Sequence, residues 1–350
     1  MKQLFITSLR DFEKQTMGTV EAREVPLPEP AADEVRVKVV YASICGSDAH
    51  TLTGDLGEFA EGAQAMLPMP FGHELSGIID KVGPRAEAYG YHVGDRVIVN
   101  YARYCYACDQ CRSGRENFCV NLQFCMNGFA EYACYHVTQV FRLPEQQDLL
   151  SACLIEPLTI ALAVAEQAKF SWGKSVAIMG AGGIGLMLVQ LARLSGASNI
   201  TVFDLVEEKR ALALQLGADH AFDPREAGVL DKTFAAAGGK FNCVVEGTGA
   251  MSAAAMTLDL LARDGDCVYF AMYGKDPILP VNVHSQFYWD QKHLHGMLMG
   301  AGLFPKAIRL ARRVDLRTLI QRVHPLSSHQ QAIEDLYSKK YVKVVIKMDE

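Results

Sequence analysis

No stretch of this chain approaches the ~20 consecutive apolar residues of a membrane span. Its opening, MKQLFITSLRDF, holds too short an apolar run for a signal peptide. The expectation is a cytoplasmic protein with no membrane partner. Positive charge is also scarce: a net charge of −6 with no basic stripe argues against an anionic lipid surface or nucleic acid as partner. Internal repeats and low-complexity segments are absent, which excludes a repeat array. Ten cysteines would mean disulfides in a small secreted domain, but in 350 residues without an export signal they read as metal ligands or buried thiols. That length accommodates two domains with sizeable cores.

The most organised stretch is KSVAIMGAGGIGLMLVQLARLSGASNITVFD, residues 174–204. A short apolar strand, 176–179, breaks into glycines, and Ile184, Leu188, Leu191 and Leu194 then recur at helical spacing. Gly180, Gly182 and Gly185 form G-x-G-x-x-G at the junction. The first permits the tight turn, the second lets a pyrophosphate approach the backbone, and the third lets helix pack on strand. The helix start offers unpaired N–H groups to phosphate. A second strand, 199–203, ends in Asp204, about 20 residues beyond the last glycine, where an acid can bind both hydroxyls of an adenosine ribose. Asp204 could instead cap a helix starting near Glu207. The strand–glycine–helix–strand–acid order favours a dinucleotide, and the acid would repel a 2′-phosphate, so NAD is expected over NADP. The cofactor-binding set is Gly180, Gly182, Gly183, Ile184, Gly185, Asp204 and Lys209.

Strand and helix patterns continue to alternate beyond Asp204, ending with a strand at about 293–298, which predicts a six-stranded, doubly wound parallel sheet. The preceding part differs. Val20 to Val25, and then Val35, Val37 and Val39 between polar residues, read as β structure. In YASICGSDAH, Cys45, Ser47, Asp48 and His50 fall within six residues, and FGHELSG adds His73 and Glu74. Singly these read as a buried thiol, a core histidine and a surface acid; together they suit a zinc ion with an open position. In YCYACDQCRSGRENFC, Cys105, Cys108, Cys111 and Cys119 can bring four thiolates to a second, closed and hence structural zinc. Cys125, Cys134, Cys153, Cys243 and Cys267 show no such spacing and read as core. Glu156, at the entrance of the apolar helix in LIEPLTIALAVAEQA, is either a first-turn acid or a metal-associated carboxylate.

GHELSGIIDKVG, together with ICGSD, the four-cysteine lobe, GFAEY, IEP and GAGGIG in that order, resembles the zinc-containing medium-chain dehydrogenase/reductase family across essentially the whole chain. IEP is similar to the sorbitol dehydrogenase-like branch, in which polyol and cyclitol dehydrogenases fall. The resemblance implies an α/β fold: a Rossmann NAD-binding domain over 158–298 and a mainly β, GroES-like catalytic domain over 1–157 completed by 299–350, with the site in the cleft between them. It implies two Zn2+ per chain and NAD. Cys45 and His73 would hold the catalytic zinc with Glu74 or Glu156 as third ligand. Asp48 would orient the histidine, Ser47 would bond the substrate oxygen, and His50 would end a proton relay. Zinc would act as a Lewis acid on the alcohol while hydride passes to nicotinamide.

The implied activity is reversible NAD-linked oxidation of a secondary alcohol on a polyol, cyclitol or sugar derivative. The alternatives are a ketone or aldehyde reductase of the same family, or a non-catalytic crystallin-like protein. A homo-oligomer, dimer or tetramer, through a cofactor-domain edge strand near 281–284 is suggested by the family alone. Sorbitol-type enzymes often carry an Arg-Tyr pair after the last cofactor-domain strand; Met299 and Gly300 align there. That exchange predicts a roomier, less polar pocket, unless the local alignment is shifted and Phe124 or His295 does the recognising.

Overall fold

The computed structural model describes residues 1–10, 17–53, 64–274 and 277–348. The glycine-containing loop between the Cys45 and His73 segments therefore lies largely outside the described residues. The chain divides into two units, Met1–Pro157 with Ala301–Glu350, and Leu158–Gly300. None of the described helices is long and apolar enough to cross a membrane.

The first unit is built on β structure. Strands β1 (Lys2–Ser8), β2 (Thr19–Glu24) and β4 (Met69–Pro70) form a small sheet in the order β2-β1-β4. Strand β3 (Glu34–Ser43) alternates as its sequence demands, with Val35, Val37 and Val39 fully buried on one face. Arg36, on the opposite face, is also buried, because its guanidinium reaches the Asp80 carboxylate at 2.9 Å. A short helix α1 (Gly46–Thr53) follows β3, and β5 (Glu74–Val82) pairs antiparallel to β3 with Glu74 opposite Ser43. Strands β6 (Arg96–Val99), β9 (Tyr132–His136) and β10 (Val140–Arg142) extend the same sheet, and β7 (Ala102–Arg103) pairs with β8 (Gln123–Phe124) around the cysteine lobe. Glu156 is the second residue of the apolar helix α2 (Ile155–Gln167).

The second unit is a parallel sheet of β11 (Ser175–Met179), β12 (Asn199–Phe203), β13 (His220–Phe222), β14 (Phe241–Glu246), β15 (Leu261–Tyr269) and β16 (His293–Gly296). Its strand order is β13-β12-β11-β14-β15-β16, the doubly wound pattern. Helices α3 (Gly183–Leu194), α4 (Glu207–Gln215), α5 (Val229–Ala237) and α6 (Met251–Leu260) connect successive strands. The edge strand expected near 281–284 does not form: Val283–Trp289 is a π-helix, started by the Asn282 carboxamide accepting the Ser285 N–H at 3.0 Å. None of its residues is buried, so its apolar residues never join the ladder, and β16 takes the sheet edge instead.

The chain then returns to the first unit. After α7 (Phe304–Leu310), β17 (Ile320–Pro325) and α8 (His329–Tyr337), strand β18 (Lys343–Lys347) lies between β17 and β3 in the sheet order β10-β6-β5-β3-β18-β17. Cys153, Cys243 and Cys267 are buried, whereas Cys125 and Cys134 are only partly covered, Cys125 packing against the core of the first unit from its margin.

Candidate metal centres and dinucleotide loop

Cys45 lies two residues past the end of β3, His73 directly precedes β5, and Glu74 is the first residue of β5, so the antiparallel pairing of these strands converges all three. One donor atom from each of Cys45, His73 and Glu74 lies within 4.8 Å of the others. His73 and Glu74 are buried, Glu74 completely, and Cys45 is partly covered. Burial, reinforced by the Glu74 charge, pushes the Cys45 thiol far up, so thiolate here calls for a cation.

Asp48, in the first turn of α1, spends one oxygen on the Cys45 N–H at 2.9 Å and leaves the other 3.7 Å from His73 Nδ1. That is too long for a hydrogen bond, and Nδ1 is a buried nitrogen without a partner. A small ring rotation would satisfy it, which is the arrangement a metal on the other ring nitrogen imposes. Tyr101 packs against the His73 ring at 4.7 Å between centroids, and Phe124 stacks on Tyr101 at 5.8 Å. Ser47 and His50 lie on α1, partly covered; the Ser47 carbonyl accepts the Thr51 hydroxyl at 2.9 Å.

Glu156 is buried but stands outside the three-donor group. Burial raises its carboxyl to about 7, with His73 pulling it down and Glu74 pushing it up. The sequence reading missed Lys343. Its ammonium, on β18, donates to both Glu74 oxygens at 2.7 and 2.6 Å, with both side chains buried. Burial draws this ammonium down, but Glu74 and Cys45 outweigh it and hold the group above its ordinary range. Of the two candidate glutamates, Glu74 is the one directly paired with the Lys343 ammonium, which also lowers the Glu156 carboxyl through its charge.

The four lobe cysteines also converge, each offering a sulfur within 4.8 Å of the others. The N–H groups of Ala107 and Cys108 point at Cys105 Sγ, at 3.5 and 3.4 Å, and that of Cys105 at Cys119 Sγ, at 3.3 Å. These donors bring the Cys105 thiol down to about 6, whereas burial lifts Cys111 to about 12. Backbone N–H groups aimed at sulfur are suited to thiolate, so the donor set fits a closed tetrahedral ion.

In the second unit, Gly180 has φ of +100°, and a side chain there would also press on the Thr248 methyl, 3.0 Å from its Cβ. At Gly185 a Cβ would lie 1.9 Å from the Gly180 carbonyl oxygen, so helix α3 packs on the loop only because that residue is glycine. Gly182 is the N-cap of α3 and supplies no side-chain acceptor, leaving the first-turn N–H groups, Gly183 and Ile184 among them, for an anion. Asp204 does not cap α4, whose N-cap is Val206. Its carboxylate instead accepts the Ala181 N–H at 2.7 Å and the Val206 N–H at 2.8 Å, linking the glycine loop to the end of β12. Arg210 and Arg225 flank this turn, but both pair with Asp223. Lys209 lies partly covered on α4.

The positions aligned with the Arg-Tyr pair differ from the expectation. Met299 has φ of +59°, and a Cβ on Gly300 would sit 2.5 Å from the Thr159 hydroxyl and 2.6 Å from its backbone. Gly300 is a close backbone approach, not a vacated side-chain position, so no room is gained there. His295, on β16, is held by Asp266 at 3.1 Å and Gln167 at 3.0 Å.

A glycine loop on a doubly wound sheet and two zinc-type donor sets on a β unit define a zinc- and dinucleotide-type dehydrogenase. The matches to known proteins agree. Residues 31–145 match the alcohol dehydrogenase GroES-like domain and residues 183–313 the zinc-binding dehydrogenase domain. Sorbitol dehydrogenase of Bacillus subtilis (strain 168) is 31% identical over 326 residues, covering 90% of each chain. A Clostridium scindens ATCC 35704 protein described as a zinc-binding dehydrogenase is 62% identical over all of both chains, with a TM-score of 0.98. A Sinorhizobium meliloti 1021 protein of the same description, bound to NADP, is 26% identical over 99% of each, with a TM-score of 0.88. The chain belongs to the zinc-type medium-chain alcohol dehydrogenase family, and it is an oxidoreductase similar to the polyol dehydrogenases.

Proposed function

We propose that this enzyme transfers hydride reversibly between NAD and a secondary alcohol of a polyol, cyclitol or sugar derivative, using a catalytic zinc and carrying a second, structural one. The observation that carries this reading is the convergence of Cys45, His73 and Glu74, the last two buried, at the paired ends of strands β3 and β5. In this reading residues 1–157 and 301–350 form the catalytic domain and 158–300 the NAD domain, the division given by the two compact units.

Bound among these donors, zinc would supply the Lewis acidity that lets an alcohol lose its proton near neutral pH. The chain does the rest. Cys45 and His73 hold the ion, with Glu74 or Glu156 as third donor. Asp48 fixes the His73 ring, Ser47 orients the substrate hydroxyl, and the proton leaves through His50 or Glu156, whose carboxyl at about 7 is suited to exchange it. Cys105, Cys108, Cys111 and Cys119 hold the structural ion. The loop from Gly180 to Gly185 receives the pyrophosphate. Asp204 still has free lone pairs for the adenosine ribose hydroxyls after accepting two backbone N–H groups, and its charge disfavours a 2′-phosphate. Lys209 stands on the helix after it.

Polyol chemistry is supported by the likeness to sorbitol dehydrogenase. With no room gained at Gly300, what supports a ring or substituted polyol over sorbitol itself is only the missing guanidinium and phenol donors of an Arg-Tyr pair at Met299 and Gly300. Ten free thiols suit the reducing cytoplasm. The exposed Val283, Tyr288 and Trp289 of the π-helix offer an apolar face to a second subunit in a dimer or tetramer.

The deciding experiment measures zinc per chain by elemental analysis and kcat/KM with NAD and NADP across sorbitol, xylitol, threonine, primary alcohols, inositols and sugar derivatives. Two zinc ions, NAD preference and a ring or substituted polyol as best substrate are expected. Fewer than two zinc ions in active protein, or equal efficiency with NADP, would overturn the corresponding assignment. Sorbitol or xylitol best by tenfold, about 1.4 kcal/mol of transition-state discrimination, would overturn the substrate reading.

A further inference from the structure

Glu246 is the last residue of β14 and lies opposite Met179, the last residue of β11, in the parallel ladder. From β11 the chain winds outward through β12 and β13; from β14 it winds the other way through β15 and β16. Sheets of this kind open their ligand crevice at the carboxyl ends of the two strands where the order reverses. Here those strands are β11 and β14, and a completely buried carboxylate stands between their ends.

Four donors hold that carboxylate. Oε1 accepts the Thr248 N–H at 2.7 Å and the Thr248 hydroxyl. Oε2 accepts the Tyr273 hydroxyl and, at 3.4 Å, the Gly249 N–H. Burial pushes the Tyr273 phenol up, with Glu246 adding to the effect, so the phenol keeps its proton and remains the donor. Glu246 does not cap helix α6: its hydrogen bonds go to Thr248, Gly249 and Tyr273, none of them in the helix, and the Ala250 N–H is taken by the Thr248 hydroxyl at 3.1 Å. A buried charge is costly compared with an apolar residue of similar size, and the sheet alone gives no reason for one. What the carboxylate does is tie two separate segments together, the turn after β14 and the connection after β15. It also fixes Thr248, whose methyl forms the wall beside Gly180.

Doubly wound sheets bind a dinucleotide as two mononucleotides, one on each half. Gly180, Gly182, Gly185 and Asp204 all belong to the half formed by β11 to β13. The half formed by β14 to β16 has no assigned residue. The geometry points to Glu246 and Tyr273 as positioning residues for the nicotinamide nucleoside: they hold the β14 turn and the β15 connection in the shape that receives it. This inference rests on the dinucleotide reading above and extends it to named residues of the second half.

The test uses the full-length protein and two probes, NADH, which spans both halves, and ADP, which occupies only the adenosine half. Dissociation constants are measured by fluorescence quenching or calorimetry for wild type, Tyr273→Phe and Glu246→Gln. Loss of one hydrogen bond to a buried charge should raise the NADH constant about tenfold in Tyr273→Phe. The ADP constant of that variant should stay near wild type, while its thermal midpoint falls by only a few degrees, so that it remains folded during the assay. Glu246→Gln should weaken NADH more; Tyr273→Phe decides alone if Glu246→Gln does not fold. Parallel weakening of NADH and ADP, or no change in either, overturns the positioning role. Wild-type protein that binds neither probe overturns the dinucleotide reading and this inference with it.

Discussion

Replacing Lys343 by methionine keeps the length of the side chain and removes its charge, leaving the Glu74 carboxylate buried without its cation. The ammonium sits 2.7 and 2.6 Å from the two oxygens, and neither side chain is more than 7% exposed. At an effective dielectric of about 20 that attraction is roughly 6 kcal/mol, much of it offset by the cost of burying both groups. Breaking such a pair by removing one partner costs about 3–5 kcal/mol, because the remaining charge has nowhere to go. For a unit of this size each kcal/mol lowers the melting midpoint by about 2–4 °C, so metal-free Lys343→Met should melt about 6–20 °C below metal-free wild type. With zinc bound beside Glu74 the carboxylate regains a cation, and the deficit should shrink to a few degrees. Parallel melts of both proteins, stripped and zinc-loaded, give the four midpoints. The double variant Lys343→Met/Glu74→Gln should recover much of the loss, since the two residues are directly coupled. A stripped variant within about 2 °C of wild type, or an equal deficit with and without zinc, would refute the reasoning.

Glu156 gives a pH signature in the stripped protein. A carboxyl raised to about 7 from 4.5 favours the fold while protonated. Its contribution, about 3 kcal/mol at most, should be complete below pH 4.5 and lost as pH rises through 7, and Glu156→Gln should flatten that part of the stability profile. Asp204→Ser should weaken NAD binding about tenfold or more and narrow the preference over NADP, as measured by kcat/KM with each; an unchanged ratio would count against the ribose assignment. Gly300→Ala should destabilise by about 1–3 kcal/mol in denaturant unfolding, since its Cβ would lie 2.5 Å from the Thr159 hydroxyl. A neutral result would restore the view that this position has room.

The glycine loop was legible because one uninterrupted stretch carries strand, turn, helix and acid; the structure adds the parallel register, Ser175↔Asn199 to Met179↔Phe203. The convergence of the candidate metal donors has the same local origin: the cysteine lobe is one short stretch, and Cys45 and His73 sit next to the ends of two strands that pair. Lys343 was not legible, because in VKVVIK an alternating lysine reads as the solvent face of a strand, while its partner is 269 positions away. The signal was there in part, as a charge within an otherwise apolar run. VNVHSQFYW carries the alternation of a strand, yet a sheet edge is one position wide and β16 occupies it, so those residues wind into a π-helix. The meaning of Gly300 lies in the backbone of Thr159, which no spacing in the sequence reveals.

The position of β18 sets an order of events during synthesis. It lies between β3 and β17, and it carries the ammonium that neutralises Glu74. Residues 301–350 leave the ribosome after the whole of the parallel-sheet unit, which can fold while the earlier β unit still waits with the Tyr41–Ser43 end of β3 lacking its β18 partner. During that interval Cys45, His73 and Glu74 are already made but their cation is not. Metal acquired then would meet a site with a more negative local charge and a looser frame than the finished one. Under the proposed zinc reading the nascent chain is therefore most exposed to the wrong ion, and in any case to pairing of the Tyr41–Ser43 end of β3 with another chain, until β18 docks.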